Sequence, residues 1–356
     1  MKRILIIKLS SMGDVLHALP VLSDIKNYLG EESQIDWVTE PGYSCLLKDH
    51  PHIDNLYTLP FRKYPGYIRS IYSPEAKALH KTFNDQPAYD AILDLQGLLK
   101  SAWVCRWAKG KRFGYDSKSI REPWASWLYN KKLGVSKNQH AVCRMRELAA
   151  KALGYAVPTT DPVYNLNARG ENGPPGHIAR GPSVRSTQQP TKLQLILFPN
   201  TTWETKHWPL EHWQALINLT QQQFNIFITW GSPAELELAN NLSANYANCQ
   251  PTPDLNISGM KNFLKHCDAF VGVDTGFAHL ATAMDIPGIV LMGPTDKNKS
   301  GPLGKKQIAL DIDLPCRPCH KRECALPVET NKLRPACLAG ITPELVLSTL
   351  KRLSSA

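Results

Sequence analysis

Short apolar runs recur along this chain, each stopping at a turn of small polar residues that opens directly into a helix. The clearest is Phe270-Val271-Gly272-Val273, which runs into Asp274-Thr275-Gly276-Phe277-Ala278-His279. Strands are expected at residues 4–9, 35–38 and 89–95, then at 193–198, 224–230, 269–273 and 289–292. Between them, helical spacing of apolar residues predicts helices over 15–29 (Leu16, Leu19, Leu22, Ile25), 98–108 and 141–153. Further helices are expected over 209–222, 233–242, 262–266 and 342–353. This alternation demands an α/β architecture, with parallel sheets covered by helices on both faces.

A chain of 356 residues exceeds one ordinary core and suits two domains of roughly 150 residues each. The texture breaks once, between 167 and 192, where Gly, Pro, Ser, Gln and Arg follow without periodicity, as in a mobile linker. The expected domains are therefore 1–166 and 193–340, with a C-terminal helix at 341–356 that is free to pack back on the first domain. No apolar run approaches the ~20 residues of a membrane span. Lys2-Arg3 followed by Ile4-Leu5-Ile6-Ile7 looks like an export signal, but Lys8 ends the run, so a first strand is expected.

Charge is unevenly placed. Between Lys100 and Lys151 thirteen Lys or Arg stand against three acidic residues, a surplus of +10 that equals the formal net charge of the whole chain. Trp103, Trp107, Phe113, Tyr115, Trp124, Trp127 and Tyr129 are interleaved with them. Such a segment fits nucleic acid, an anionic membrane surface or a phosphorylated acceptor, and otherwise a solvated helical face. Of nine cysteines, five are scattered and read as reduced thiols. Cys316, Cys319, Cys324 and Cys337 have the ligand types of a structural zinc site, but their spacing is irregular for a ribbon. A loop with local thiol packing or redox sensitivity is the alternative.

The turns at the strand ends carry the chemistry. A strand that opens onto a helix N-terminus offers unpaired amides and the positive end of a dipole, a seat for phosphate. In Asp274-Thr275-Gly276 the glycine lets the backbone approach a ligand, although Asp274 or Thr275 would also serve as a helix cap. Ser10-Ser11-Met12-Gly13-Asp14 places a carboxylate that is either a helix cap or a general base. Thr201 and Thr202 with Lys206 make a phosphate clamp, Lys206 opposing charge on a leaving diphosphate, whereas Trp203 and Trp208 read as packing residues. Glu235, after Trp230-Gly231-Ser232, is placed to grip a ribose or base. Neither a Walker A pattern nor a G-x-G-x-x-G fingerprint is present, which argues against an NTPase or dehydrogenase.

These motifs, in order along nearly the whole chain, resemble the lipopolysaccharide heptosyltransferases. The matching stretches are Leu9-Ser-Ser-Met-Gly-Asp-Val-Leu-His-Ala-Leu-Pro20, Asp94-Leu-Gln-Gly-Leu-Leu-Lys-Ser101, Thr201-Thr202 with Lys206-His-Trp-Pro209, Val273-Asp-Thr-Gly-Phe-Ala-His279 and Gly293-Pro-Thr-Asp296. Arg121-Glu-Pro-Trp-Ala-Ser-Trp-Leu-Tyr-Asn130 and His140-Ala-Val-Cys-Arg-Met-Arg-Glu-Leu148 resemble the branch that adds the first heptose. The Cys316–Cys337 cluster looks more like that of the second-heptose branch. The resemblance implies a GT-B fold, two facing Rossmann-like domains with an interdomain cleft, and inverting, metal-independent transfer that requires no cofactor. It implies Asp14 as catalytic base, Lys206 opposite the departing ADP, and Thr201, Thr202, Lys206, Glu235, Asp274, Thr275, Gly276 and His279 around ADP-heptose. It implies Arg62, Lys63, Lys100, Arg121 and Arg144 on the side of an anionic Kdo–lipid A acceptor. A monomer in the cytoplasm, peripheral to the inner membrane and without nucleic-acid partner, is the corresponding expectation. Transfer of a later heptose, a sugar-nucleotide epimerase and a non-catalytic nucleic-acid-binding protein are the alternatives.

Overall fold

The computed structural model describes residues 1–166, 192–326 and 333–355. The expected linker, apart from Lys192, lies outside them. The chain divides into two units, Met1–Asn165 with Asn298–Leu303, and Leu166–Lys297 with Gly304–Ala356.

The first unit is built on strands β1 (Arg3–Ile7), β2 (Gln34–Thr39), β3 (Asn55–Thr58), β4 (Tyr89–Asp94), β5 (Gly110–Tyr115) and β6 (Lys131–Leu133). They pair in the order β3-β2-β1-β4-β5-β6, and every pairing is parallel. The central strands are apolar because both faces are covered: Ile4, Leu5, Ile6 and Ile7 have no exposed surface. The second unit repeats the plan with β7 (Leu193–Phe198), β8 (Phe224–Ile228), β9 (Cys249–Pro251), β10 (Ala269–Val273), β11 (Gly288–Leu291) and β12 (Gln307–Leu310). Its order, β9-β8-β7-β10-β11-β12, is the same arrangement counted from its own first strand. In both sheets the winding reverses between the first and fourth strands, and the crevice outside their carboxyl ends is where such sheets hold ligands.

The expected helix over 15–29 is two helices, Met12–Ala18 and Pro20–Leu29. Pro20 has no amide to continue the first ladder, yet it suits the first turn of the second helix. The C-terminal helix Pro343–Ser355, which the sequence left free to pack on the first domain, instead buries Val346 and Leu350 in the core of the second unit. There they meet Trp213 and Leu216 of the helix Leu210–Thr220. The return segment Asn298–Leu303 is held in the first unit by His140 Nε2 on the Gly301 carbonyl (3.0 Å) and by the Tyr164 hydroxyl on the Leu303 carbonyl (2.9 Å). No helix among the described residues is long and apolar enough to cross a membrane.

Candidate active site

In the first unit the switch point lies between β1 and β4. The Leu9 and Ser10 amides, just past β1, both donate to Gln96 Oε1 at 3.1 Å, so one side chain of the β4 loop fixes the β1 loop. That loop is fixed in turn by buried Asp94. It accepts from the Gln96 and Gly97 amides (2.9 and 3.0 Å), Ser101 Oγ (2.8 Å) and the Tyr129 hydroxyl (2.7 Å). Burial nevertheless raises the Asp94 pKa. Gly97 takes φ 70°, and a Cβ there would stand 3.2 Å from both Ile120 and Tyr115 side chains, so any side chain at this turn is strained. The Asp94–Ser101 motif is thus largely scaffold.

Asp14 stands on that scaffold. It is the third residue of its helix, and its Oδ2 accepts from the Ser11 amide (3.1 Å) and Ser11 Oγ (2.9 Å), a capping box. Its Oδ1 lies 3.9 Å from Lys8 Nζ, and 47% of the side chain stays exposed. Burial pushes the Asp14 carboxyl upward, but Lys8, His17 and the Ser11 bonds outweigh it and hold the pKa below the usual carboxylate value. Cap and chemistry are therefore compatible: the bonds to one oxygen orient the other. Lys8 is itself buried, with Nζ donating to the Leu95 carbonyl at 3.2 Å. Desolvation lowers its pKa, against the pull of Asp14 and Asp94. Lys8, Asp14, Gln96, Tyr115, Arg121 and Arg144 line a recess of about 180 Å³.

The expected acceptor-side cations fall into separate groups. Arg121 is exposed at the recess. Arg144 lies over the Tyr115 ring (5.1 Å) and donates through Nη2 to the Ser119 carbonyl (2.7 Å), while its buried Nε–H has no acceptor among the described residues. Lys100 and Arg62 are gathered by Glu40: Nζ is 3.3 Å from Oε1 and Arg62 Nε is 3.1 Å from Oε2. Lys100 also reaches Ser10 Oγ (3.5 Å), which ties this pair to the β1 loop. Lys63 instead makes a surface pair with Glu75 at 2.8 Å. Glu40 is buried just past β2, and its position as an acid at a strand end was the signal that could have identified it. Nor is the whole basic segment a surface for anions. Arg146 is buried and holds Asp24 bidentately at 2.7 and 2.8 Å.

In the second unit a single carboxylate spans the switch point between β7 and β10. Asp274 is buried at the end of β10. Its Oδ2 takes Lys206 Nζ (2.7 Å) from the β7 loop and Thr295 Oγ1 (2.7 Å) from the β11 loop, while Oδ1 faces His279 Nε2 (3.2 Å). Burial alone would raise its pKa; His279 and Lys206 more than reverse this and hold it far below the carboxylate range. Thr275 is the N-cap of the helix Gly276–Ala283, whose first-turn amides open at the same end of the sheet. Lys206 Nζ also lies 4.8 Å from the Trp203 ring, so Trp203 supports a cation, whereas Trp208 packs in the core as expected. Thr202 is exposed, and Thr201 is half-buried with its carbonyl on His207 Nε2 (2.8 Å). Glu235 uses Oε2 to accept from the Gly231 amide at 2.7 Å, bracing the turn before its helix. Thr295, in the strand-end Gly293-Pro-Thr-Asp296 motif, joins the site through its bond to Asp274. A larger cavity of about 470 Å³ beside Trp208 and Trp213 is lined by none of the expected site residues.

The cysteine segment is laid against these loops. Arg317, between Cys316 and Cys319, donates to the carbonyls of Gly293 (2.6 Å), Met292 (2.9 Å) and Ile312 and pairs with Asp311 (3.2 Å). Thr205 Oγ1 reaches the Lys321 carbonyl at 2.6 Å. Among the described residues no three His, Cys, Asp or Glu side chains are grouped to hold a metal ion. Cys316 is exposed, Cys319 and Cys324 are half-buried, and Cys337 is buried.

A family model for glycosyltransferase family 9 (heptosyltransferase) matches residues 77–329. The chain belongs to glycosyltransferase family 9. It is 34% identical to lipopolysaccharide heptosyltransferase 1 of Pseudomonas aeruginosa, over 98% of this chain and 97% of the relative. It is 37% identical to the Escherichia coli K12 protein of the same name, over 86% and 92%. Among solved structures, E. coli heptosyltransferase WaaC with ADP superposes with a TM-score of 0.78 at 33% identity, covering 99% of both chains. As a family 9 enzyme with two six-stranded parallel sheets, the chain has the expected GT-B fold and is a glycosyltransferase using a nucleotide-sugar donor. Membership sets aside the non-catalytic nucleic-acid-binding alternative.

Proposed function

We propose that this heptosyltransferase moves a heptose from ADP-heptose to a Kdo residue of lipid A–Kdo, with inversion, in assembly of the lipopolysaccharide inner core. The observation that carries the mechanism is Asp14, a half-exposed carboxylate fixed by Ser11 at a recess that also holds Lys8, Arg121 and Arg144. In this reading the Kdo hydroxyl enters the recess and attacks the anomeric carbon as Asp14 takes its proton. The Arg144 Nε–H, without an acceptor among the described residues, and exposed Arg121 suit the carboxylate of Kdo. On the second unit, Lys206 and the amides of the Thr275–Gly276 turn receive the diphosphate, and Lys206 opposes its growing charge as the bond breaks. Asp274 positions that ammonium, with Thr295 and His279 completing the network. Cationic side chains and amides supply the neutralisation that a metal ion gives elsewhere, which supports metal-independent transfer.

The first-heptose acceptor is preferred because the two relatives above carry the name of the first transferase, and action on that lipid-borne acceptor at the cytoplasmic face of the inner membrane is part of the same proposal. The test is Asp14→Asn, which keeps the Ser11 contacts but cannot accept a proton. ADP release with Kdo–lipid A should fall by roughly 10²–10⁴-fold while ADP affinity is retained. Near-normal turnover would reduce Asp14 to a helix cap. Wild-type turnover lost in EDTA and restored by Mg²⁺ would exclude the metal-independent step.

A further inference from the structure

Four of the large apolar side chains that the fold leaves exposed stand on two elements packed against each other in the first unit. Leu99 (41% exposed) and Trp103 (39%) lie on the helix Leu99–Val104; Trp124 (65%) and Trp127 (68%) lie on the 3₁₀ helix Pro123–Leu128. The two elements are tied by the Leu99 amide on Glu122 Oε2 at 2.7 Å. Trp124 and Trp127 meet edge to face, with ring centroids 4.6 Å apart. This exposure is built rather than incidental. Between the two tryptophans in sequence Ala125 and Ser126 are buried, and just after them Arg112 Nε holds the Leu128 carbonyl (3.0 Å) and the Tyr129 hydroxyl is anchored on Asp94.

The surroundings indicate what covers the patch. Arg106, Arg121, Lys131 and Lys132 are exposed on or beside these elements, and Glu122, engaged by Leu99, is the one acid in 99–106 and 121–132. Indoles with cations around them are the composition of a membrane–water interface, where the ring sits at headgroup depth and Lys or Arg meets anionic lipid. A nucleic acid fits less well, because the edge-to-face pair does not offer two parallel platforms for bases.

We propose that Leu99, Trp103, Trp124 and Trp127, with Arg106, Lys131 and Lys132, form a docking face for an anionic bilayer. The face presents the neighbouring Arg121 and Lys100 to acceptor lipid in that bilayer, a step that rests on the lipid-acceptor reading above. The test floats wild type and Trp124→Ser/Trp127→Ser with vesicles of phosphatidylcholine, with and without phosphatidylglycerol, in the absence of substrate. Wild type should bind the anionic vesicles, and the double variant should bind them about tenfold or more weakly. The Trp124→Phe/Trp127→Phe variant should recover much of the loss, which controls for misfolding. Turnover of Kdo–lipid A embedded in vesicles should fall in the serine variant, whereas turnover of the acceptor stripped of its acyl chains should not. Unchanged flotation, equal loss on both acceptors, or a dimer-to-monomer change by light scattering without a vesicle effect would overturn the docking face. Trp-dependent flotation with no transfer to either acceptor would uphold the face and sink the acceptor reading instead.

Discussion

Replacing Lys8 by Met tests the electrostatic control of the proposed base. Two unit charges at the 3.9 Å of this pair attract by about 4 kcal/mol at an effective dielectric constant of about 20. Nearly half of the Asp14 side chain faces solvent, so screening reduces this to about 2 kcal/mol or less. The sign follows from the charge. Lys8 favours the ionised carboxylate, so its removal raises the Asp14 pKa and moves the acid limb of kcat/KM to higher pH. Met keeps the length of the side chain and relieves the desolvation of a buried ammonium, so thermal stability should change little. The assay is ADP release with subsaturating acceptor and saturating donor, followed from mildly acidic to mildly alkaline pH for both proteins. An acid limb that stays in place, or moves to lower pH, would refute the claim that this pair tunes the base.

Lys206→Ala should weaken ADP binding by calorimetry and lower turnover as well, because the ammonium opposes charge in the complex and more of it in the transition state. Asp274→Asn should cost about 3 kcal/mol in urea unfolding at neutral pH, since it leaves the Lys206 ammonium without its buried partner. Because the Asp274 pKa is depressed in the folded state, its stabilisation is present above the unfolded carboxylate value of about 3.9 and lost as pH falls through the lower folded value. The stability gap between wild type and Asp274→Asn should therefore shrink in strong acid. Glu40→Gln should loosen Arg62 and Lys100 together, raising acceptor KM while donor KM holds, and an unaltered acceptor KM would dissociate Glu40 from the site.

Fold class was legible because buried parallel strands write themselves as apolar runs: 193–198 and 269–273 were bounded to the residue, as was the helix 141–153. The strands β3, β5, β6, β9 and β12 were not seen. Asn55–Thr58 and Lys131–Leu133 are edge strands with few apolar residues, and β5 carries Lys111 and Arg112 among its six positions. Site residues on turns stood out because small residues before a helix are a local signal. Gln96 and Arg317 did not, because each acts by reaching across to a loop distant in sequence, and sequence spacing carries no trace of that; Glu40 carries only the weaker signal of an acid at a strand end. Thr295 had a local signal, a strand-end Gly-Pro-Thr-Asp, but only the 2.7 Å bond to Asp274 gives it a role.

The two units share one strand order but secure their switch points by opposite chemistry. In the first, a neutral amide, Gln96, ties the loops together, and the charged groups stay on the walls of the recess, where Asp14 keeps exposed surface. That arrangement leaves a carboxylate able to exchange a proton with an incoming hydroxyl. In the second, the tie is itself charged: Asp274 is buried and fully engaged by Lys206, Thr295 and His279. With both oxygens engaged and the side chain buried, it offers no open oxygen to an incoming hydroxyl, but it makes a durable anchor for a cation. On the mechanism proposed above, the same topology separates two tasks that one carboxylate would perform badly together, proton transfer on the first unit and charge neutralisation on the second. Arg317 holds three carbonyls of the surrounding loops, so the cysteine segment braces the loops around Asp274 through its arginine whatever its thiols do.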